Sequence, residues 1–567
     1  MNELAAAYSI LGLISLFLCW HLCSSLLQLC SFSITSWFLL ASFLLMERRL
    51  ASVFNAALHA NNEAVSTAKW RLAASLRDPL HNGLWLWPLL WLAIKIGQTK
   101  ESDSMLVGSW CLPVVLVTAV NPLLPARATR LRYCLIVCSV LLGFLYGIVA
   151  WQREDYSTFD AVLGSAACFL LLHLGTVTVV LLAPKAFTLG EAGLLCQMCT
   201  YLAIQLLHVT PPLVASFHWE IIYTIRGAFA GTAWICISSL MLTVLWQRKR
   251  GMAHDLLCYT NICLTVVVAM LLVSEKLGKN VMQFAWEYLL EGGKVRWCLL
   301  LFWGLCLSAA LLFAGQSAKS GPTAARGSSV RRKFFHLAAA LVAASGLQLD
   351  PQLTLLASVI LCCAFIILEV TRKLYLPPLS GMLEASYSSF LDAQDCGPLV
   401  LTPLYLLCSV FLPLWLHPVS SPAAIRLLHF AGIVSIGCGD AAAAIIGSQL
   451  GRHPWLFTRP YAHSPSPSGS SSSASSIASS AMSGGSGRNG AFKNKKTMEG
   501  TLAAVAAQML ALAIVCYLLR SFSSLFVGEF LMLLMISVIL ALLEACCRQI
   551  DNLVLPLVAY LLLSCIE

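Results

Sequence analysis

The sequence predicts an all-α, polytopic integral membrane protein with about 15 transmembrane helices. Three observations lead there. Of the 567 residues, 59% are apolar and only 11% charged, where a soluble domain carries about a quarter charged residues. Mean hydropathy is +0.81. The apolar residues also fall into runs long enough to cross a hydrocarbon core of about 30 Å as helices. They lack the weak alternation of an outer-membrane barrel, and helices otherwise alone satisfy the backbone in lipid. A soluble globular enzyme, a secreted disulfide scaffold and a disordered chain are excluded.

The elements follow in chain order. Leu4 to Met46 holds two runs, 4–28 and 31–46, and closes on Glu47, Arg48 and Arg49. No basic segment precedes it, so it reads as retained anchor helices rather than a cleaved signal. A hydrophilic loop, 47–82, comes next. Runs at 84–97, 104–120, 132–151, 160–183, 194–215 and 228–246 lead to the basic segment 247–250. Runs at 254–273 and 297–315 precede a second basic linker, 316–333, which ends in Arg331, Arg332 and Lys333. Then come 334–346, 351–369, 398–417 and 424–450, a Ser/Gly/Pro-rich loop, and finally 501–519, 525–547 and 549–565. Several runs are short enough to be half-spans, which sets the expected count below the number of runs. The polar punctuation divides the chain into an N-terminal multi-span region, 1–325, and a C-terminal region, 326–567, where ionic and glycine residues gather at span ends.

The Ser-rich loop, 454–492, cannot bury a core and reads as disordered. From Arg452 to Met498 there are six Lys/Arg and no Asp/Glu, which places this loop in the cytosol by the positive-inside tendency. The net charge of +10 fits loops beside anionic lipid. No nucleic-acid motif accompanies it, so nucleic acid is not an expected partner. Most of the 23 cysteines sit in apolar runs and act as small hydrophobes. Cys196 and Cys199 form a CxxC with no second pair to complete a zinc site.

Chemistry is expected where ionisable groups stand at membrane depth, because each costs several kcal/mol unless paired or hydrated. Asp440 lies inside the run 424–450, in Gly437-Cys438-Gly439-Asp440, with Gly447 and Gly451 downstream. Glu544 and Asp551 flank a polar break between the last two runs. The bland readings are a structural ion pair, a wet helix end, and GxxxG packing for the glycines. Lys495-Lys496-Thr497-Met498-Glu499-Gly500-Thr501 opens the next span. Lysines, hydroxyls and free N–H groups at a helix N-terminus are what a polyphosphate needs, although this is no Walker P-loop. A positive-inside anchor is the competing reading. Together with Asp440 and Glu499, which supply hard oxygen ligands for a divalent cation, the segment points to a nucleotide-phosphate and metal site. Arg332-Lys333-Phe334-Phe335-His336 reads as an interfacial anchor, and Phe390 to Leu399, with Asp392 and Asp395, as a polar hinge.

Taken together, these segments resemble the dolichol kinase family. The pieces are Arg332 to His336, Phe390 to Leu399, Gly439-Asp440 with Gly447 and Gly451, Lys495 to Thr501, and Glu544 with Gln549-Ile550-Asp551-Asn552-Leu553. The resemblance covers about 330–567. One departure stands out: the family joins its Gly-rich helix to the Lys-Lys-Thr motif by a short link, and here a Ser-rich stretch intervenes. The resemblance implies CTP as phosphoryl donor, dolichol as acceptor, Mg²⁺ or a similar cation, and a multi-pass protein of the endoplasmic reticulum membrane with its site facing the cytosol. In that reading Lys495, Lys496 and the backbone of Thr497 to Thr501, with Gly500, hold the CTP phosphates beside Gly439, Gly447 and Gly451. Asp440 and Glu499 hold the cation, and Asp551 or Glu544 accepts the proton of the alcohol or completes the metal shell. Alternatives are a CTP-dependent kinase of diacylglycerol or phytol, a CDP-diacylglycerol synthase and, outside enzymes, a secondary transporter.

Overall fold

The computed structural model describes residues 175, 189–207, 218–245, 251–318, 324–388, 399–455, 496–519, 527–546, 550–564 and 566. The runs up to 160–183, the polar hinge with Asp392 and Asp395, most of the Ser-rich loop, Lys495 and Gln549 lie outside these residues.

What is described is helical. The helices are α1 (Leu189–Leu207), α2 (Trp219–Leu245), α3 (Met252–Leu277), α4 (Val281–Glu291), α5 (Gly293–Ala318), α6 (Ala324–Leu349), α7 (Pro351–Lys373), α8 (Leu379–Ser388), α9 (Thr402–Leu416), α10 (Ala441–Leu450), α11 (Met498–Leu519), α12 (Val527–Cys546) and α13 (Asp551–Ser564). Ahead of α10 runs a π-helical segment, Ile433–Asp440. Seven stretches are long and apolar enough to cross a membrane, and three shorter apolar helices accompany them. Every run expected from 194 onward falls on a helix. Two expectations change in detail. The basic linker 316–333 is helical from Ala324, so Arg331 to Lys333 belong to α6 rather than to a loop. The run 424–450 winds in turn as 3-10, π and α helix.

Side-chain exposure sorts the helices. α3 leaves Leu256, Leu264, Val267 and Leu271 uncovered, as a lipid-facing span does. α13 does the opposite, with every residue from Leu553 to Leu563 buried. A helix apolar on all sides belongs inside a bundle. At 14 residues it is about 21 Å long, short of the hydrocarbon thickness. Around it pack α1, α6, α9, the π segment, α11 and α12, in one continuous apolar core.

Short connections fix which helix ends meet. α6 and α7 are joined through Asp350, whose side chain caps α7 by accepting from the Leu353 N–H at 2.9 Å while Pro351 fills the first turn. The two helices therefore run antiparallel, so Lys333 and Arg372 share one end. Arg372 pairs with Glu369 at 2.7 Å, and Glu369 accepts from the Val400 N–H at 2.7 Å, which brings the start of α9 to that same end. His429 bonds the His417 carbonyl at the opposite end, at 3.0 Å. From there the chain climbs through Asp440 and α10, descends in α11, returns in α12 and turns down again in α13. Lys333, Asp440, Lys496, Glu544 and Asp551 thus lie at one end of the bundle. The basic segments 331–333, 372–373 and 452–496 lie there too.

Candidate functional site

Asp440 is the last residue of the π segment, and π turns recur at functional sites. Its position depends on two glycines. A Cβ on Gly437 would meet Ala340 of α6, and one on Gly439 would run into Gln508 of α11. Both neighbouring helices can therefore close onto this segment. α6 brings Lys333, whose ammonium donates to Asp440 Oδ2, and His336, whose Nε2 lies 3.7 Å from the same oxygen. Lys333 and His336 stand three residues apart, on one face of their helix.

From the opposite side come Glu544, near the end of α12, and Asp551, the first residue of α13. One oxygen from each of Asp440, Glu544 and Asp551 lies within 4.8 Å of the others. Asp440 and Glu544 are 4% and 5% exposed. Lys496 reaches into the group: its ammonium donates to Glu544 Oε1 and, at 3.2 Å, to Asp551 Oδ2. Burial works against the charged form of Lys496, but the carboxylates of Asp551, Glu544 and Asp440 outweigh it, so its pKa stands above that of an ordinary lysine. Three carboxylates thus face two lysines, in a place where unpaired charge is costly.

The donor set suits a divalent cation. Carboxylate oxygens are the hard ligands that Mg²⁺ takes. Asp551 Oδ1 is buried without a hydrogen-bond partner, so it has a lone pair free to coordinate.

The structure brings Glu544 and Asp551, rather than Glu499, to Asp440. Glu499 accepts from His453, from Nδ1 at 2.6 Å and from the backbone N–H at 3.1 Å. Thr497 caps α11, its Oγ1 accepting from the Gly500 N–H at 3.2 Å. Thr501 accepts from Trp455 Nε1 at 2.9 Å. The glycines make close helix contacts: a Cβ on Gly447 would stand 3.5 Å from the Gly500 Cα, and one on Gly500 would be 2.8 Å from the Ala443 carbonyl. Gly451 faces Thr497 in the same seam.

The same residues form a clasp. Pro454 and Thr497 form an antiparallel bridge, flanked by Trp455 N–H to Lys496 O at 3.3 Å and Met498 N–H to His453 O at 2.9 Å. Both ends of the Ser-rich insertion are therefore fastened side by side, and Lys496 emerges directly from the clasp. Sequence reasoning missed Lys333 and His336 as members of the site; their spacing on one helix face was the available signal.

A sequence profile of the dolichol kinase family matches residues 136–458. Human dolichol kinase is 26% identical over 474 residues, covering 82% of this chain and 80% of the human protein. Fission-yeast dolichol kinase sec59 is 26% identical over 311 residues, 51% of this chain and 59% of its own. Arabidopsis dolichol kinase EVAN is 28% identical over 232 residues, 41% of this chain and 34% of its own. No solved structure matches.

Proposed function

The chain belongs to the dolichol kinase family, and from that premise we propose that it transfers the terminal phosphoryl group of CTP to the hydroxyl of dolichol. The products are dolichyl phosphate, the lipid carrier for protein glycosylation, and CDP. The reaction takes place at the cytosolic face of the endoplasmic reticulum membrane, in a protein of about 15 spans. One observation carries the reading: three carboxylates and two lysines from separate helices meet at a single end of an apolar bundle. CTP, rather than another nucleotide, follows from the family resemblance of the Lys495 to Thr501 motif.

Phosphoryl transfer asks mainly for positioning and charge neutralisation. Asp440, Glu544 and Asp551 hold the divalent cation, which when bound neutralises the phosphate oxygens. Lys333 and Lys496, paired with these carboxylates before substrate arrives, turn their ammonium groups to the triphosphate. Lys495 adds charge beside it. Asp551 or Glu544 takes the proton as the dolichol oxygen attacks. The long apolar tail of the alcohol stays in lipid while its hydroxyl reaches the interface, which accounts for the ionic groups standing at span ends.

The test uses membranes lacking their own activity, with added dolichol and γ-labelled CTP. A kinase moves the label to the lipid. A CDP-diacylglycerol synthase leaves it in pyrophosphate, and a transporter leaves it in CTP. Label that never enters lipid overturns the reading.

A further inference from the structure

The helix that carries Asp551 is pinned at its start by a residue from the N-terminal part of the chain. Ile550 is the residue ahead of α13, and its carbonyl accepts from the Leu553 N–H at 2.9 Å and the Val554 N–H at 3.2 Å. The Ile550 N–H therefore points away from the helix it introduces. Glu191 Oε1 accepts it at 3.3 Å, across 359 positions of sequence. Glu191 is 0% exposed. It sits in the first turn of α1, whose Ala192, Leu194 and Met198 join the core around α13. The Tyr201 hydroxyl of the same helix donates to the Leu416 carbonyl at 3.5 Å. α1 is thus docked on the catalytic bundle, with a carboxylate at its buried edge.

A buried carboxylate is costly to keep. An apolar side chain there would leave the Ile550 N–H without this acceptor. The peptide that Glu191 holds is the one linking Ile550 to Asp551, so a shift of that peptide moves the Asp551 carboxylate directly. Partners behind a metal ligand change metal affinity by about 10- to 100-fold when removed.

We propose that Glu191 is a positioning residue: by accepting the Ile550 N–H it sets the Asp551 carboxylate at the cation site. The N-terminal region then contributes to the site and does more than anchor the protein. This rests on Asp551 being a metal ligand, so the test separates the two claims.

The full chain is purified in detergent, and binding of Mn²⁺ alone is followed by the loss of its free-ion electron paramagnetic resonance signal. Glu191→Leu, of similar size and apolar, is expected to weaken Mn²⁺ binding about tenfold and to raise the Mg²⁺ needed for half-maximal kinase activity by a similar factor. Glu191→Gln keeps a carbonyl acceptor for the Ile550 N–H and is expected to stay within about twofold of wild type. Asp551→Asn is the control, with Mn²⁺ binding weakened at least as far. If Asp551→Asn binds Mn²⁺ like wild type, the metal reading itself fails. If Asp551→Asn weakens binding and Glu191→Leu does not, the positioning role is wrong. If Glu191→Gln is as impaired as Glu191→Leu, the carboxylate charge matters rather than the acceptor, and the proposal is again overturned. Should Glu191→Leu not fold, Glu191→Met is read in its place.

Discussion

Excising the Ser-rich insertion tests how Lys496 is held. The perturbation removes residues 458–492 and leaves a short Gly/Ser link between the two arms of the clasp. The arms meet at the Pro454–Thr497 bridge, are fastened by His453 to Glu499 at 2.6 Å and are tied by Trp455 to Thr501 at 2.9 Å. None of these bonds involves the removed residues. Closing a loop of about 40 residues costs more than closing one of about 5 by (3/2)RT ln 8, or about 2 kcal/mol. Excision therefore removes an entropic cost and breaks no described contact. The assay is label transfer from γ-labelled CTP to dolichol in membranes, with the CTP dependence measured. We expect kcat and the KM for CTP within about twofold of the full chain, and a clasp no less stable. A tenfold rise in KM in protein still inserted at normal level would refute the reasoning, because Lys496 would then depend on the insertion.

Other outcomes follow from the same geometry. Asp440→Asn removes a carboxylate shared by Lys333, His336 and the cation cluster, and transfer should fall below detection while the protein inserts normally in a membrane-flotation assay. Lys496→Ala should raise the KM for CTP at least tenfold, and wild-type kinetics would remove Lys496 from the nucleotide site. Because the pKa of Lys496 is raised, the stabilisation from its charge is complete below the unfolded lysine value of about 10.4. It is lost only as pH rises through the higher folded value, so the pH–rate profile should carry no Lys496 limb below about 10. Gly500→Ala would set a Cβ 2.8 Å from the Ala443 carbonyl and 3.3 Å from the Gly447 Cα. Both are backbone atoms that cannot yield cheaply, and a cost of about 1–3 kcal/mol should appear as a lower melting temperature.

Much of the architecture can be read from hydrophobic runs, because lipid leaves the backbone few options. Each run from 194 onward is a helix, and the residues at the run ends are those that meet. Asp440, Glu544 and Asp551 are legible for the same reason, as rare charges at membrane depth. Their mutual arrangement is not, since it depends on how helix ends come together rather than on local pattern. Lys333 shows this: beside Arg331 and Arg332 it has the composition of a membrane anchor, and only the approach of α6 to Gly437 turns it toward Asp440. Glu499 shows the reverse. Next to two lysines it resembles a metal ligand, yet the clasp gives it His453 as a partner. Glu191 carries no local signal, because its bond spans most of the chain.

The π winding at Ile433–Asp440 sets a rule of length for this part of the chain. Each residue of an α-helix turns the chain by about 100°, while a π turn holds more residues in each revolution. Deleting one residue between Ile433 and Asp440 would let the segment tighten to ordinary α pitch. Everything after it would then rotate by roughly that angle, carrying Gly447 and Gly451 off the seam they share with Thr497 and Gly500. Side chains here can be exchanged for others of equal bulk, but the number of residues is constrained by the screw of the helix. Some fifteen positions later, beyond the clasp, the chain can lengthen freely.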